Sequence, residues 1–122
     1  MLVGISKKEV KEYIVAADKD SAKPTVFLIG NISNEDKINM IGSVIGPDGV
    51  INIQELQAKT VDIVKAGLKG IHNFFDPDQK QSVDVKEITP EVVDAIPFAF
   101  LYELAGQIIK ANFELGEIRK NS

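Results

Sequence analysis

The chain has 122 residues, of which 44% are hydrophobic and 26% charged, with a formal net charge of −4. The length and composition are those of one globular domain, so we expect residues 1–122 to form a single domain with a polar tail at 116–122. The 14 Lys and Arg residues form no basic cluster, which argues against nucleic acid as a partner. The absence of cysteine excludes disulfides, thiolate metal sites and thiol nucleophiles. No apolar run approaches the roughly 18 residues of a membrane span, so we expect no membrane partner.

The first half of the chain predicts a small N-terminal β-hairpin followed by helices. Residues 25–30 are β-branched and aromatic with turn residues on both sides, which is typical of a strand. We expect this strand to pair antiparallel with residues near 12–16. Ser33 is a predicted N-cap, and Ile38, Ile41 and Ile45 then recur at helical spacing.

The second half predicts two longer helices separated by another hairpin. A helix is expected over residues 53–71, with an apolar stripe that ends at Leu68 and Ile71. The hairpin is expected near residues 73–86. Thr89 then fits an N-cap and Pro90 the first position of a helix, which restarts at Pro97. The predicted fold class is therefore α+β, with the N-terminal hairpin packed on three to four helices.

Four carboxylates in the segment 74–87 have the spacing of a calcium loop. If Asp76 is position 1, then Asp78, Asp84 and Glu87 are positions 3, 9 and 12, where such a loop has oxygen ligands. Lys80 and Gln81 contradict this interpretation, because they stand where an oxygen ligand and a turn-forming Gly are required. The alternative is a β-hairpin with its turn at Asp76-Pro77-Asp78-Gln79, which we favour. We therefore predict neither a metal nor another cofactor.

The sequence offers little that could perform catalysis. His72 is the only histidine, and no serine lies in a Gly-x-Ser-x-Gly motif. A partly buried, hydrogen-bonded His72 between Ile71 and Phe74 is the preferred interpretation. No glycine spacing fits a phosphate-binding loop. We therefore expect a protein that is not an enzyme.

An apolar run at residues 95–102 puts three aromatic side chains within five residues of a predicted helix. Either this helix is central to the fold, or some of its aromatic residues contact a partner. Aromatic side chains anchor many protein interfaces, so we predict an interface on this helix. Its candidate residues are Phe98, Phe100, Leu101, Tyr102 and Ile109.

Five segments together resemble a known group of proteins: residues 23–29, 67–74, 88–97 and 103–105, and the closing Arg119-Lys120-Asn121-Ser122. In these segments the chain resembles small proteins encoded in the tail-gene region of long-tailed phages and prophages, described as tail-assembly chaperones or tail accessory proteins. Ile71 and His72 depart from the second motif, which has an aromatic residue after its Gly. The resemblance covers most of the chain, and none of its motifs is catalytic.

The resemblance implies a non-enzymatic role in virion assembly, in the host cytoplasm or in the virion. Proteins of this kind bind the tape-measure protein or tail-tube proteins, so the implied partners are other phage structural proteins, and a homo-oligomer stays open. One alternative is a structural neck, tail or capsid component. Another is a calcium-binding module with a degenerate EF-hand-like loop.

Overall fold

Both predicted hairpins are present, and they join into one antiparallel sheet. The first strand is Val10–Tyr13, earlier in the chain than the predicted pairing near residues 12–16. The computed structural model describes residues 1–4, 6 and 8–113, so the predicted polar tail at 116–122 lies outside the description. Pairing between the middle strands makes the sheet continuous, in the order β1-β2-β3-β4. The strands are β1, Val10–Tyr13; β2, Val26–Gly30; β3, Leu68–Asp76; and β4, Gln81–Val85. The predicted α+β class is confirmed.

Helices supply the second layer of the fold, and a one-turn 3-10 helix, Ala16–Asp18, follows β1. Side chains of Ser33 and Thr89 accept from backbone N–H groups three residues on, which confirms both as N-caps. The helices are α1, Asn34–Met40; α2, Ile53–Ala58; α3, Thr60–Gly67; α4, Pro90–Ala95; and α5, Phe98–Phe113. The first helix is shorter than its spacing predicts, because Ile41 is extended and forms a bridge to Ile45.

Helix α5 is central to the hydrophobic core. Five of its side chains are buried, and they belong to one cluster with buried residues of the sheet and of the other helices. The buried residues of α5 are Leu101, Leu104, Ala105, Ile108 and Ile109. Of the two interpretations of the apolar run at 95–102, a central helix is therefore correct for most of α5.

The contact between α3 and α5 depends on a glycine. A Cβ atom placed on Gly67 would lie 2.5 Å from Cγ2 and 3.0 Å from Cδ1 of Ile108. Ile108 is completely buried, so it has no free space into which it could move. Gly67 thus sets how closely the two helices approach each other.

The predicted helix over residues 53–71 is wrong at its C-terminal end. It is interrupted at Lys59, and it stops at Gly67, where β3 begins. Leu68 and Ile71 are both buried although they lie three residues apart in a strand. A β-bulge explains this: Leu28 pairs with Gly70 and Ile29 with Leu68, which leaves Lys69 as an extra residue.

A second bulge follows on the other side of β3. Ile71 pairs with Val85 and Phe74 with Val83, so β3 again has one residue more than its partner strand. Within this bulge Asn73 has a φ of 58°, a left-handed conformation that Asn tolerates better than most residues. The bulge brings Ile71 and Phe74 to the core side of the sheet together.

Asn112 connects the end of α5 to the end of β2. Its Oδ1 accepts from the N–H of Ile32 at 2.9 Å, and its Nδ2 donates to the carbonyl of Gly30 at 3.2 Å. The same Nδ2 donates to the carbonyl of Ile108 at 2.9 Å. The Asn112 side chain therefore provides hydrogen-bond partners for backbone groups at the end of β2 and in the connection to α1.

We expect Gly67→Ala to destabilise the protein relative to Gly106→Ala. Both residues lie in helices, but a Cβ on Gly106 would meet no described heavy atom within 4 Å outside its own helix. The difference in the free energy of unfolding should be about 1–3 kcal/mol, the usual cost of overpacking a core. Urea denaturation of the two variants measures it. Equal stability of the two variants would contradict the tight α3–α5 contact.

Candidate protein-binding site

Three of the four predicted calcium residues, Asp76, Asp78 and Asp84, lie on a β-hairpin. Oδ1 of Asp76 accepts from the backbone N–H groups of Asp78 at 2.9 Å and Gln79 at 3.3 Å, which is how an Asp side chain stabilises a turn. Lys80 closes the turn with a φ of 55°. The preferred hairpin interpretation of this segment is confirmed.

The other acidic residues of the set are not gathered around Asp76. Asp84 lies on β4, and its Oδ1 accepts from the N–H of Asn73 at 3.1 Å. The same oxygen is 3.6 Å from Nδ1 of His72, which is exposed rather than partly buried as predicted. Among residues 1–4, 6 and 8–113, no three His, Asp or Glu side chains form a group that could hold a metal ion. Glu87 is an exposed residue between β4 and α4.

The five predicted interface residues lie in different environments. Leu101 and Ile109 are buried in the core, so their assignment to a binding surface was wrong. Phe98 is 57% exposed, and its ring stacks on that of Tyr102 with centroids 6.5 Å apart and an interplanar angle of 6°. Phe100 is half-buried and projects from another side of the helix, because two residues correspond to a rotation of about 200°.

Phe100 belongs to an apolar depression that we call the aromatic groove. The groove has a volume of about 260 Å³ and lies where one end of the sheet meets the junction of α4 and α5. This volume is below the roughly 300–1,000 Å³ of pockets that enclose small ligands, and it suits one or two protruding side chains of a partner protein. Its lining residues are Val15, Ala17, Asp18, Thr25, Phe27, Phe74, Phe75, Ile96, Pro97 and Phe100.

The polar residues of the groove bind each other. The N–H of Thr25 donates to Oδ2 of Asp18 at 2.7 Å, and the Thr25 hydroxyl donates to the carbonyl of Asn73 at 2.9 Å. These bonds tie the 3-10 turn, β2 and the bulge of β3 together around the groove. The groove therefore has a hydrogen-bonded polar margin and an aromatic interior, an arrangement that favours burial of apolar side chains.

A carboxylate of α5 holds one wall of the groove. Oε2 of Glu103 accepts from the Tyr13 hydroxyl and, at 2.9 Å, from the N–H of Ala16. This pair of bonds fixes the 3-10 turn that carries Ala17 and Asp18 against the helix. Partial burial, together with the hydrogen bond to the Glu103 carboxylate and its charge, raises the pKa of Tyr13 from 10.0 to about 12.

The sequence interpretation missed most of the groove. Phe27 was assigned only to a strand, and Phe74 and Phe75 only to the start of a hairpin. Phe75 is 56% exposed. The adjacent Phe74 and Phe75 were the one local signal of a surface aromatic residue, because a strand directs neighbouring side chains to opposite faces. One of two adjacent aromatic residues must then lie away from the core unless both faces are covered.

Comparisons of the chain with family models, with curated proteins and with solved structures found no match. Within the described residues, no helix is both long and apolar enough to cross a membrane. The candidate site consequently rests on the geometry of this chain.

We expect calcium to have no saturable effect on this protein. Asp76 and Asp84 already accept backbone hydrogen bonds at separate places, so a metal would have to break the hairpin to recruit both. Isothermal titration should give a flat trace up to calcium of about 1 mM, the range of weak protein sites. Asp76→Asn provides the matched control, since it removes a carboxylate and retains an acceptor oxygen. A saturable heat that this variant abolishes would contradict the hairpin role.

We expect part of the protein's stability to be lost between about pH 10 and 12. The protonated Tyr13 donates to Glu103, and its folded pKa is raised, so the folded state retains a proton that the unfolded state releases. Stability from this group is therefore complete below pH 10 and declines as the pH rises through about 12. The test is urea denaturation across this interval for the wild type and Tyr13→Phe. The variant should lack this component of the pH dependence, and identical slopes would argue against it.

Proposed function

We propose that this chain is a non-enzymatic protein of phage or prophage virion assembly, acting as a tail-assembly chaperone or tail accessory factor. It binds partner tail proteins, such as tape-measure or tube proteins, through the aromatic groove. Its place of action is the host cytoplasm.

The observation that supports the proposal is where the phage-like segments meet. Segment 23–29 contributes Thr25 and Phe27 to the groove, segment 67–74 contributes Phe74, and segment 88–97 contributes Ile96 and Pro97. The segment 103–105 contains Glu103, which holds one wall in position. Four segments that are distant in the chain thus share one surface feature. A binding surface explains why these segments meet better than folding alone does, because much of the hydrophobic core lies away from the groove.

The groove's chemistry supports binding rather than catalysis. Besides Ala17, seven of the side chains that line the groove are aliphatic or aromatic. The hydroxyl of Thr25 donates a hydrogen bond to a backbone carbonyl. Catalysis by a hydroxyl needs a general base within hydrogen-bond reach. In the described groove the Thr25 hydroxyl donates to a carbonyl instead of a base.

We expect Phe75→Ser to weaken binding to the partner by roughly 30-fold while the fold is retained. Phe75 lines the groove, and more than half of its surface is exposed, so its removal costs little in the core. A buried aromatic anchor contributes about 2 kcal/mol or more to an interface, equivalent to a roughly 30-fold loss of affinity. The measurement is co-purification with the tape-measure and tail-tube proteins encoded in the same gene cluster, followed by titration calorimetry with the one retained.

Ile38→Ser is the matched control, since Ile38 is a large exposed side chain on α1, outside the groove. This variant should bind like the wild type. Failure of the wild type to retain either tail protein would contradict the proposed function. Mass spectrometry of purified particles separates the two roles in assembly: a factor that leaves is absent, whereas a neck, tail or capsid component is present.

A further inference from the structure

Strand β1 is an edge strand with exposed polar side chains. It pairs with β2 on one side, and it is the first strand in the sheet order, so no strand of the described residues pairs with its other side. Glu9, Val10, Lys11 and Glu12 are all exposed, and Val10 is 42% exposed. The backbone groups of such an edge can pair with another strand.

Two-fold symmetry restricts how two copies of β1 could pair. In a continuous antiparallel sheet the two-fold axis is perpendicular to the sheet, so each residue keeps its face in both copies. Directly opposed side chains lie on the same face, and alternate residues share a face. The axis must therefore pass through the position of one residue. Each residue before that position then lies opposite the residue of the second copy that is equally far after it.

Only one of the central registers matches opposite charges. With the axis at Val10, Glu9 lies opposite Lys11 of the second copy, and Lys8 lies opposite Glu12 of the second copy. Symmetry repeats both pairs, and the two Val10 side chains meet at the axis. An axis at Lys11 would oppose two lysines, and an axis at Glu12 would oppose two glutamates, both unfavourable.

The other edge of the sheet, β4, has one unfavourable and one matched register near its middle. An axis at Val83 of β4 would place Lys80 opposite Lys86 of the second copy. The Asp84 carboxylate on that strand already accepts from the backbone of Asn73. An axis at Ser82 would place Lys80 opposite Asp84 and Asp78 opposite Lys86, but Asp78 and Lys80 belong to the hairpin turn. Charge alone therefore does not distinguish the two edges, and the turn residues together with the engaged Asp84 make β4 the poorer one.

We propose that a second copy of this chain pairs antiparallel with β1 about Val10, so that two four-stranded sheets join into one. This contact is separate from the aromatic groove, which lies at the α4–α5 junction. The ion pairs give the contact its register and its orientation. The resulting dimer is isologous, because the same strand contributes from both copies.

A charge swap tests the proposal by sedimentation equilibrium. Glu9→Lys and Lys11→Glu each place like charges opposite one another, and each should weaken dimerisation about tenfold, since two symmetric pairs change sign. The double variant Glu9→Lys/Lys11→Glu restores opposite charges and should dimerise like the wild type. Lys86→Glu, next to the other edge strand, is the control and should leave dimerisation unchanged.

Added salt provides a measurement that needs no variant, because exposed ion pairs are screened. The wild-type dimer should dissociate more readily as the salt concentration rises. A protein that is monomeric at all concentrations would overturn the proposal. It would also be overturned by a dimer that is indifferent to salt and to the single substitutions, or by a double variant that stays as weak as the single ones. Binding of tail proteins is measured in a separate experiment. A negative result there would not affect the conclusion about dimerisation.

Discussion

The close approach of α3 and α5 at Gly67 sets the geometry on which the other parts of the fold depend. Ile108 occupies the space where a side chain on Gly67 would be, and Ile108 is fully buried. Gly67 is also the last residue of α3, and Leu68 begins β3 directly after it. The same contact therefore fixes the distance between two helices and the point where the chain enters the sheet. A wider spacing here would move the start of β3, and with it the pairing to β2.

The spacing of apolar residues in β3 shows why a helix was predicted for residues 68–71, where the structure has a strand. Leu68, Ile71 and Phe74 are apolar at intervals of three, which is close to the period of a helix and incompatible with a regular strand. Each interval contains one bulge, so each adds a residue and returns the next apolar side chain to the core. Bulges follow from strand pairing across the chain, which local spacing does not report. By contrast, the caps at Ser33 and Thr89 were predictable, because a cap depends on residues only three positions away.

The sequence predicted that aromatic residues form the candidate site, but it did not predict where on the fold the site lies. The aromatic run at 98–102 correctly indicated surplus apolar surface, since Phe98 remains exposed and Phe100 lines the groove. Leu101 and Ile109 were misassigned because α5 is covered on more than one side, which depends on how α3 and the sheet pack. The groove also requires Phe27, whose position follows only from the pairing of β2 with β3. The residue pattern of a single sequence does not show which distant segments pair with each other.

Two of the four carboxylates that imitate a calcium loop, Asp76 and Asp84, have a structural role. Asp76 accepts backbone N–H groups in the hairpin turn, and Asp84 accepts the N–H of Asn73, the residue with a positive φ in the bulge. Two irregular stretches of backbone on one hairpin thus each have an acidic acceptor. The bulge in turn directs Phe74 to the groove, and the carbonyl of Asn73 accepts from Thr25 at the groove's margin. The acidic segment therefore contributes to the aromatic groove by shaping the strand that carries its aromatic residues.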